Sequence, residues 1–259
     1  MQDISDYFRD MKALIITALA LSSWAACTNP DPEAPGSHTA HFTATAPVLD
    51  GVADEACWKN AKAYPMDQLW VGKLPHAMDY MGRFKVCWDS SYLYILAEVY
   101  DDSLIDSHAN GLDRYWDDDC LEIFVDENAS GGNHQYNYNA FAYHISLDGK
   151  FVDIGTDSLP HYYNEHGKLG IKTAEHKTVW EVALKLYPDT YKDSAANMPV
   201  TLAADKIIGF AVAYNDNDKG EGRERESMMG SIEVTPNPDK NRGWIDAGVF
   251  GKLKLVKEK

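Results

Sequence analysis

Two tryptophans stand in polar loops far apart in the chain. Trp116 lies in Arg114-Tyr115-Trp116-Asp117, just ahead of a strand-like run, and Trp244 lies in Asn241-Arg242-Gly243-Trp244-Ile245-Asp246. A single loop tryptophan usually lids a core. Two of them among carboxylates and amides suit a sugar, because a pyranose offers apolar C–H faces to indole rings and a rim of hydroxyls to Asp, Glu, Asn and Arg. Beside Trp116, the run Asp117-Asp118-Asp119 with Glu122 offers carboxylates of the kind a glycoside hydrolase places on both sides of a cleft. A solvated or cation-binding turn entering a strand is the simpler reading, and a hydrolase using Asp117, Asp119 or Glu122 is the enzyme-class alternative.

Other chemistry is sparse. The chain has no GxSxG, HExxH, GxxxxGK[ST] or strand-to-helix GxGxxG. His134, His144, His161, His166 and His176 read as surface or turn residues rather than ligands. Asn215-Asp216-Asn217-Asp218-Lys219-Gly220 with Glu226 imitates part of a calcium loop, but Lys219 stands where an oxygen ligand belongs and a strand precedes it. Oxygen-rich loops of this kind still suit structural calcium, with the individual ligands undefined. A haem-binding sandwich with Met and His axial ligands is a further alternative.

The elements that must position these residues are strands. Arg83–Trp88 alternates, with Phe84, Val86 and Trp88 on one face; Tyr92–Tyr100 puts Leu93, Ile95, Ala97 and Val99 on one side. Cys120–Asp126 sets Leu121, Ile123 and Val125 opposite Glu122 and Phe124. Further strands are predicted over 137–147, 170–173, 179–186, 207–214 and 250–256, joined by Asp-, Asn- and Gly-rich turns. One short helix is predicted over 54–63. The expected fold class is all-β, a single-domain antiparallel β-sandwich.

Forty acidic against 24 basic residues give a formal charge of −16, which repels phosphate backbones and argues against nucleic acid. Lys12, the apolar run Ala13–Leu21 and the small residues before Cys27 read as a signal peptide over 1–26, with Met11 the better initiator. The run is too short for a membrane span. Residues before Cys27 resemble a bacterial lipoprotein cleavage box, so Cys27 is the expected lipidated residue. A Pro-rich tether over 27–40 then leads to a domain over 41–259. The expected setting is a Gram-negative cell envelope, as an outer-membrane lipoprotein touching the membrane only through its anchor. Acidic residues after Cys27 hint at surface exposure. Cys57, Cys87 and Cys120 are odd in number and lack CxxC spacing, so no disulfide is expected.

Several segments in order resemble family 9 carbohydrate-binding modules. They are residues 47–58, the hairpin 84–102, Trp116-Asp117-Asp118-Asp119-Cys120-Leu121-Glu122-Ile123-Phe124-Val125-Asp126-Glu127-Asn128, Ile208-Gly209-Phe210 with Asn215-Asp216, and the ending 244–253. The resemblance covers about residues 41–256. It implies a β-sandwich that binds an oligo- or polysaccharide without cleaving it, often with structural calcium. It further implies that Trp116 and Trp244 clamp a terminal sugar, that Glu122 accepts sugar hydroxyls, and that Asn241 is an amide contact. The chain departs from the family in the strand Tyr138–Tyr143, which lacks the arginine that family binders direct onto the sugar. Arg114 and Arg242 are candidate replacements. The missing arginine keeps open a structural envelope lipoprotein with a decayed sugar site.

Overall fold

Alternation along the chain sets the frame. In the computed structural model, which describes residues 36–108, 110–219 and 224–258, the strands are β1 (Ser37–Phe42), β2 (Tyr64–Pro65), β3 (Gln68–Gly72), β4 (Tyr80–Trp88), β5 (Leu93–Asp101), β6 (Cys120–Asp126) and β7 (Phe141–Ser146). They continue as β8 (Phe151–Ile154), β9 (Pro160–Tyr162), β10 (Gly167–Ala174), β11 (Lys177–Leu184), β12 (Ile207–Asp216), β13 (Ser227–Gly230) and β14 (Gly251–Val256). Phe84, Val86 and Trp88 of β4, the four expected residues of β5, and Leu121, Ile123 and Val125 of β6 all enter one shared core. Each of the Val, Leu, Ile and Phe side chains among them contributes about 1.5–3 kcal/mol of burial free energy.

The sheet is mixed, which corrects the expected antiparallel sandwich. One hydrogen-bonded path runs β10-β11-β5-β4-β1-β14-β12-β6-β7-β8-β9 and curls so that its two halves share the core. β1 joins the halves by pairing parallel to β14 and to β4, while the other pairings are antiparallel. β1 also shortens the expected tether, since Ser37–Ala40 are sheet residues. Its sequence hid this because, of the three β1 residues on the core side, only Phe42 is a strong apolar signal, while His38 and Ala40 are not. Trp88 closes the junction: its indole N–H donates to Ala40 O and Val256 O, both at 3.1 Å. The signal segment, Met11, Cys27 and most of the tether lie outside the described residues.

The predicted helix is real but shorter, α1 (Ala56–Asn60), and Ala61 returns to extended backbone. Its Trp58 is fully buried and donates to Glu181 Oε1 at 2.7 Å. Glu181 Oε2 accepts from the backbone N–H groups of Asp50 and Gly51, at 3.0 and 2.8 Å. Gly51 has φ +74°, and a Cβ there would sit 2.3 Å from that of Lys172, so only glycine fits this turn.

Three of the histidines expected at the surface are buried: His134, His144 and His166. His166 sits between Tyr143 Oη at 2.7 Å and Tyr191 Oη at 3.0 Å, with its ring 4.2 Å from that of Tyr187. Burial, with Lys185 nearby, pushes its pKa down to about 3, so it is neutral. His166→Phe keeps the ring but leaves two buried hydroxyls short of a partner. Denaturant unfolding should show a loss of about 1–2 kcal/mol.

Candidate functional site

β6 decides what lies on either side of the sheet. Its odd-numbered apolar residues face the core, so Glu122 and Phe124 must face the other way. Register then supplies their neighbours: Glu122 lies opposite His144 on β7 and Ala213 on β12, and Phe124 lies opposite Ala142 and Ala211. The small alanines leave room above the sheet. A cavity of about 250 Å³ opens there, floored by Glu122, Phe124 and His144 and walled by Tyr115, Trp116, Ile154, Arg225, Asn241 and Trp244. Trp116, Glu122, Asn241 and Trp244, separated by up to 128 positions (244 − 116) in sequence, therefore meet in one place.

The acidic run folds the wall that presents Trp116. Asp117 accepts from Arg114 Nε at 2.6 Å, and Asp118 accepts from the N–H groups of Ser107 and His108, both at 3.0 Å. Asp119 accepts from Ile105 N and from Asn217 N. Each aspartate thus turns into the loop, and Trp116 stays 40% exposed. Tyr115 packs edge-on between Trp116 and His144, with ring centroids 5.0 and 4.7 Å away. The opposite wall is braced by His134, which reaches Gly243 O at 2.7 Å and donates its backbone N–H to Ile245 O at 2.8 Å. A Cβ on Gly243 would come within 2.7 Å of the Phe124 ring, so glycine lets the Trp244 loop settle onto the floor.

Glu122 is buried, which alone would raise its pKa. His144 Nε2 at 3.0 Å, Arg225 Nη1 at 3.3 Å and the Asn215 amide outweigh that cost and hold the carboxyl below the usual range. Arg225 also donates to Asn215 Oδ1 at 2.9 Å. It stands where the sequence offered Arg114 or Arg242. Those two brace the walls instead: Arg114 pairs with Asp117, and Arg242 donates to Asn237 O at 2.8 Å. Arg225 escaped sequence reasoning because it sits in a charge-rich stretch that reads as solvated surface. His144 could have been found from the pairing of β6 with β7, which places it across from Glu122.

A second group of carboxylates lies at the other end of the loop. Asp79, Asp101, Asp102, Asp119, Asp216, Asp218 and Glu226 form overlapping triads of ligand-competent oxygens. Burial, then mutual repulsion, pushes Asp119 up to about 9 and Asp216 up to about 7. Asp79 Oδ1 and Asp216 Oδ1 are buried acceptors with no hydrogen-bond donor. An all-oxygen cluster with unanswered negative charge fits a hard divalent cation such as calcium. Asp216, Asp218 and Glu226 of the imperfect calcium loop belong to it, and Lys219 turns aside to Glu226 Oε2 at 2.8 Å.

An aromatic-walled, polar-floored cavity on a rigid β frame defines a ligand-binding module. Residues 49–258 match the family described as carbohydrate family 9 binding domain-like, and the chain belongs to that family. It is 30% identical over 215 residues to endo-1,4-beta-xylanase A of Thermotoga maritima, covering 82% of this chain and 17% of the enzyme. Endo-1,4-beta-xylanase C of Paenibacillus barcinonensis is 27% identical over 212 residues, again covering 82% and 17%. The chain thus spans a small part of these curated relatives. A family 9 carbohydrate-binding module from Caldicellulosiruptor kristjanssonii, solved with cellotriose, superposes with TM-score 0.61 at 20% identity, covering 86% of this chain and 95% of that one. A putative carbohydrate-binding protein from Bacteroides uniformis superposes with TM-score 0.55 at 12% identity, covering 86% and 100%.

Proposed function

We propose that this module binds the end of an oligo- or polysaccharide between Trp116 and Trp244 and does not cleave it. The observation that carries the reading is the convergence of both indoles, Glu122 and Asn241 on one cavity large enough for a hexose. Indole faces cover the C–H surfaces of the ring, and ionised Glu122 accepts from its hydroxyls. Arg225, Asn241 and His144 ring the remaining hydroxyls, with Arg225 and His144 supplying what the family arginine supplies elsewhere. Relatives named as xylanases and a structural neighbour holding cellotriose favour the ends of β-linked xylan or glucan chains as first candidates.

A hydrolase needs two carboxylates flanking the bond. Among the described residues lining the cavity, Glu122 is the only carboxylate, since Asp117 and Asp119 are turned into the loop. Glu122→Gln distinguishes the two functions. A binder should lose about tenfold in saccharide affinity by calorimetry, the loss of one charge-assisted hydrogen bond, and release no sugar from polysaccharide with either residue. Sugar release by wild type that Glu122→Gln abolishes would establish the enzyme. A wild-type chain that binds nothing across a glycan array would point to a decayed site.

Calcium in the cluster of Asp79, Asp101, Asp119 and Asp216 would neutralise that charge and fix the loop that carries Trp116. Display on a Gram-negative envelope through lipid on Cys27 completes the proposal; detergent phase partitioning of the full chain against Cys27→Ala tests it. Among the described residues, no helix is long and apolar enough to cross a membrane.

A further inference from the structure

Three described cysteines carry free thiols, and two of them share one small cluster. Cys57 is on α1 and half-buried; Cys87 is on β4 and 1% exposed. Because Val86 and Trp88 face the main core, Cys87 faces outward, where α1 covers it. Both cysteines join a small apolar cluster with Trp58, Tyr94 and Leu96, where α1 packs on β4. α1 is held in place independently, since Lys85 Nζ donates to Trp58 O at 2.6 Å and Trp58 is anchored on Glu181. Cys120 lies elsewhere, its sulfur against Tyr115 O and the Asn215 amide. An odd count of three thus divides into one pair and one bystander.

We propose that Cys57 and Cys87 are a redox pair that closes to a disulfide, stapling α1 to β4, on meeting a disulfide oxidant of the glutathione or protein-disulfide class. Cys57 is the attacking group. It has a path to solvent that Cys87 lacks, and the neighbouring Cys87 thiol lowers its pKa, whereas Cys57 and burial push that of Cys87 up. Cys57 Sγ, as thiolate, attacks one sulfur of the oxidant and expels the other as a thiolate. Cys87 Sγ then gives up its proton, attacks Cys57 Sγ in the mixed disulfide and expels the second oxidant thiolate. Two protein thiols are oxidised, one oxidant disulfide is reduced to two thiols, and the protons pass to the leaving groups. The closed loop spans roughly 30 residues, a length at which a disulfide restricts the unfolded chain substantially.

The test uses the whole chain, purified reduced and then exposed to oxidised glutathione without other oxidants. Peptide mapping of the wild type should find Cys57 joined to Cys87 within one molecule and Cys120 still alkylatable. Thermal melting of the oxidised form should rise by about 5–10 °C, reversed by dithiothreitol. Cys57→Ser and Cys87→Ser should each remove the reductant-sensitive shift. Cys57 and Cys87 both still alkylatable after oxidation, glutathione retained on Cys57, or a bridge from either of them to a second molecule would each overturn the proposal. The wild-type map decides this even if a serine variant folds poorly.

Discussion

Trp116→Ala is expected to weaken saccharide binding by about 10- to 100-fold while leaving the melting temperature nearly unchanged. Truncating an aromatic anchor in a binding pocket costs on the order of 1–3 kcal/mol, and each 1.4 kcal/mol is a factor of about ten. Stability is spared because Trp116 is 40% exposed and the loop beneath it is held by Asp117, Asp118 and Asp119 rather than by the indole. Trp244→Ala should lose as much affinity and also some stability, since Trp244 is half-buried above Phe124 in a loop packed on the sheet. Calorimetry with cellotriose and xylotriose beside thermal melts of both variants checks the pair. Unchanged affinity in Trp116→Ala would remove the cavity from consideration as the sugar site.

How much of this was legible in the sequence depends on whether a residue's task is written in its neighbours. β4, β5 and β6 announce themselves by alternation, and the alternation of β6 already sets Glu122 and Phe124 apart from the core residues between them. The two loop tryptophans stand out because an indole in a polar stretch is chemically conspicuous. Arg225 does not, because its role comes from a long-range approach to Glu122 and Asn215 that local composition conceals. β1 is similarly silent: its order comes from parallel pairing with β14 and β4, partners 215 (252 − 37) and 46 (87 − 41) positions away, a non-local cost that no local pattern encodes. The predicted strand over 137–147 starts late, at Phe141, because Tyr138 turns inward to Tyr163 Oη at 3.0 Å and Asp193 instead of extending the ladder.

The acidic run shows most sharply how position overrides composition. Glu122 and Asp119 are three residues apart and both buried, yet one is held below its ordinary pKa by His144 and Arg225 and the other is pushed up to about 9 among carboxylates. Without a cation, a carboxyl with a raised folded-state pKa favours folding fully below its unfolded pKa, and that contribution is lost as pH rises through the folded value. For Asp119 the window runs from its ordinary 3.8 to about 9, and for Asp216 from 3.8 to about 7. The metal-free chain should therefore melt higher near pH 5 than near pH 8. Calcium reverses the ordering by replacing the protons, so its affinity should climb over the same interval. At calcium 100-fold above its dissociation constant the gain is about 2.7 kcal/mol, and chelation at pH 8 should lower the melting temperature by several degrees while chelation at pH 5 does little. Because Asp119 anchors Ile105 and Asn217 around the loop of Trp116, saccharide affinity should fall with the same chelation at pH 8. A melt indifferent to chelator at both pH values would mean that this cluster holds no cation and carries its charge by protonation alone.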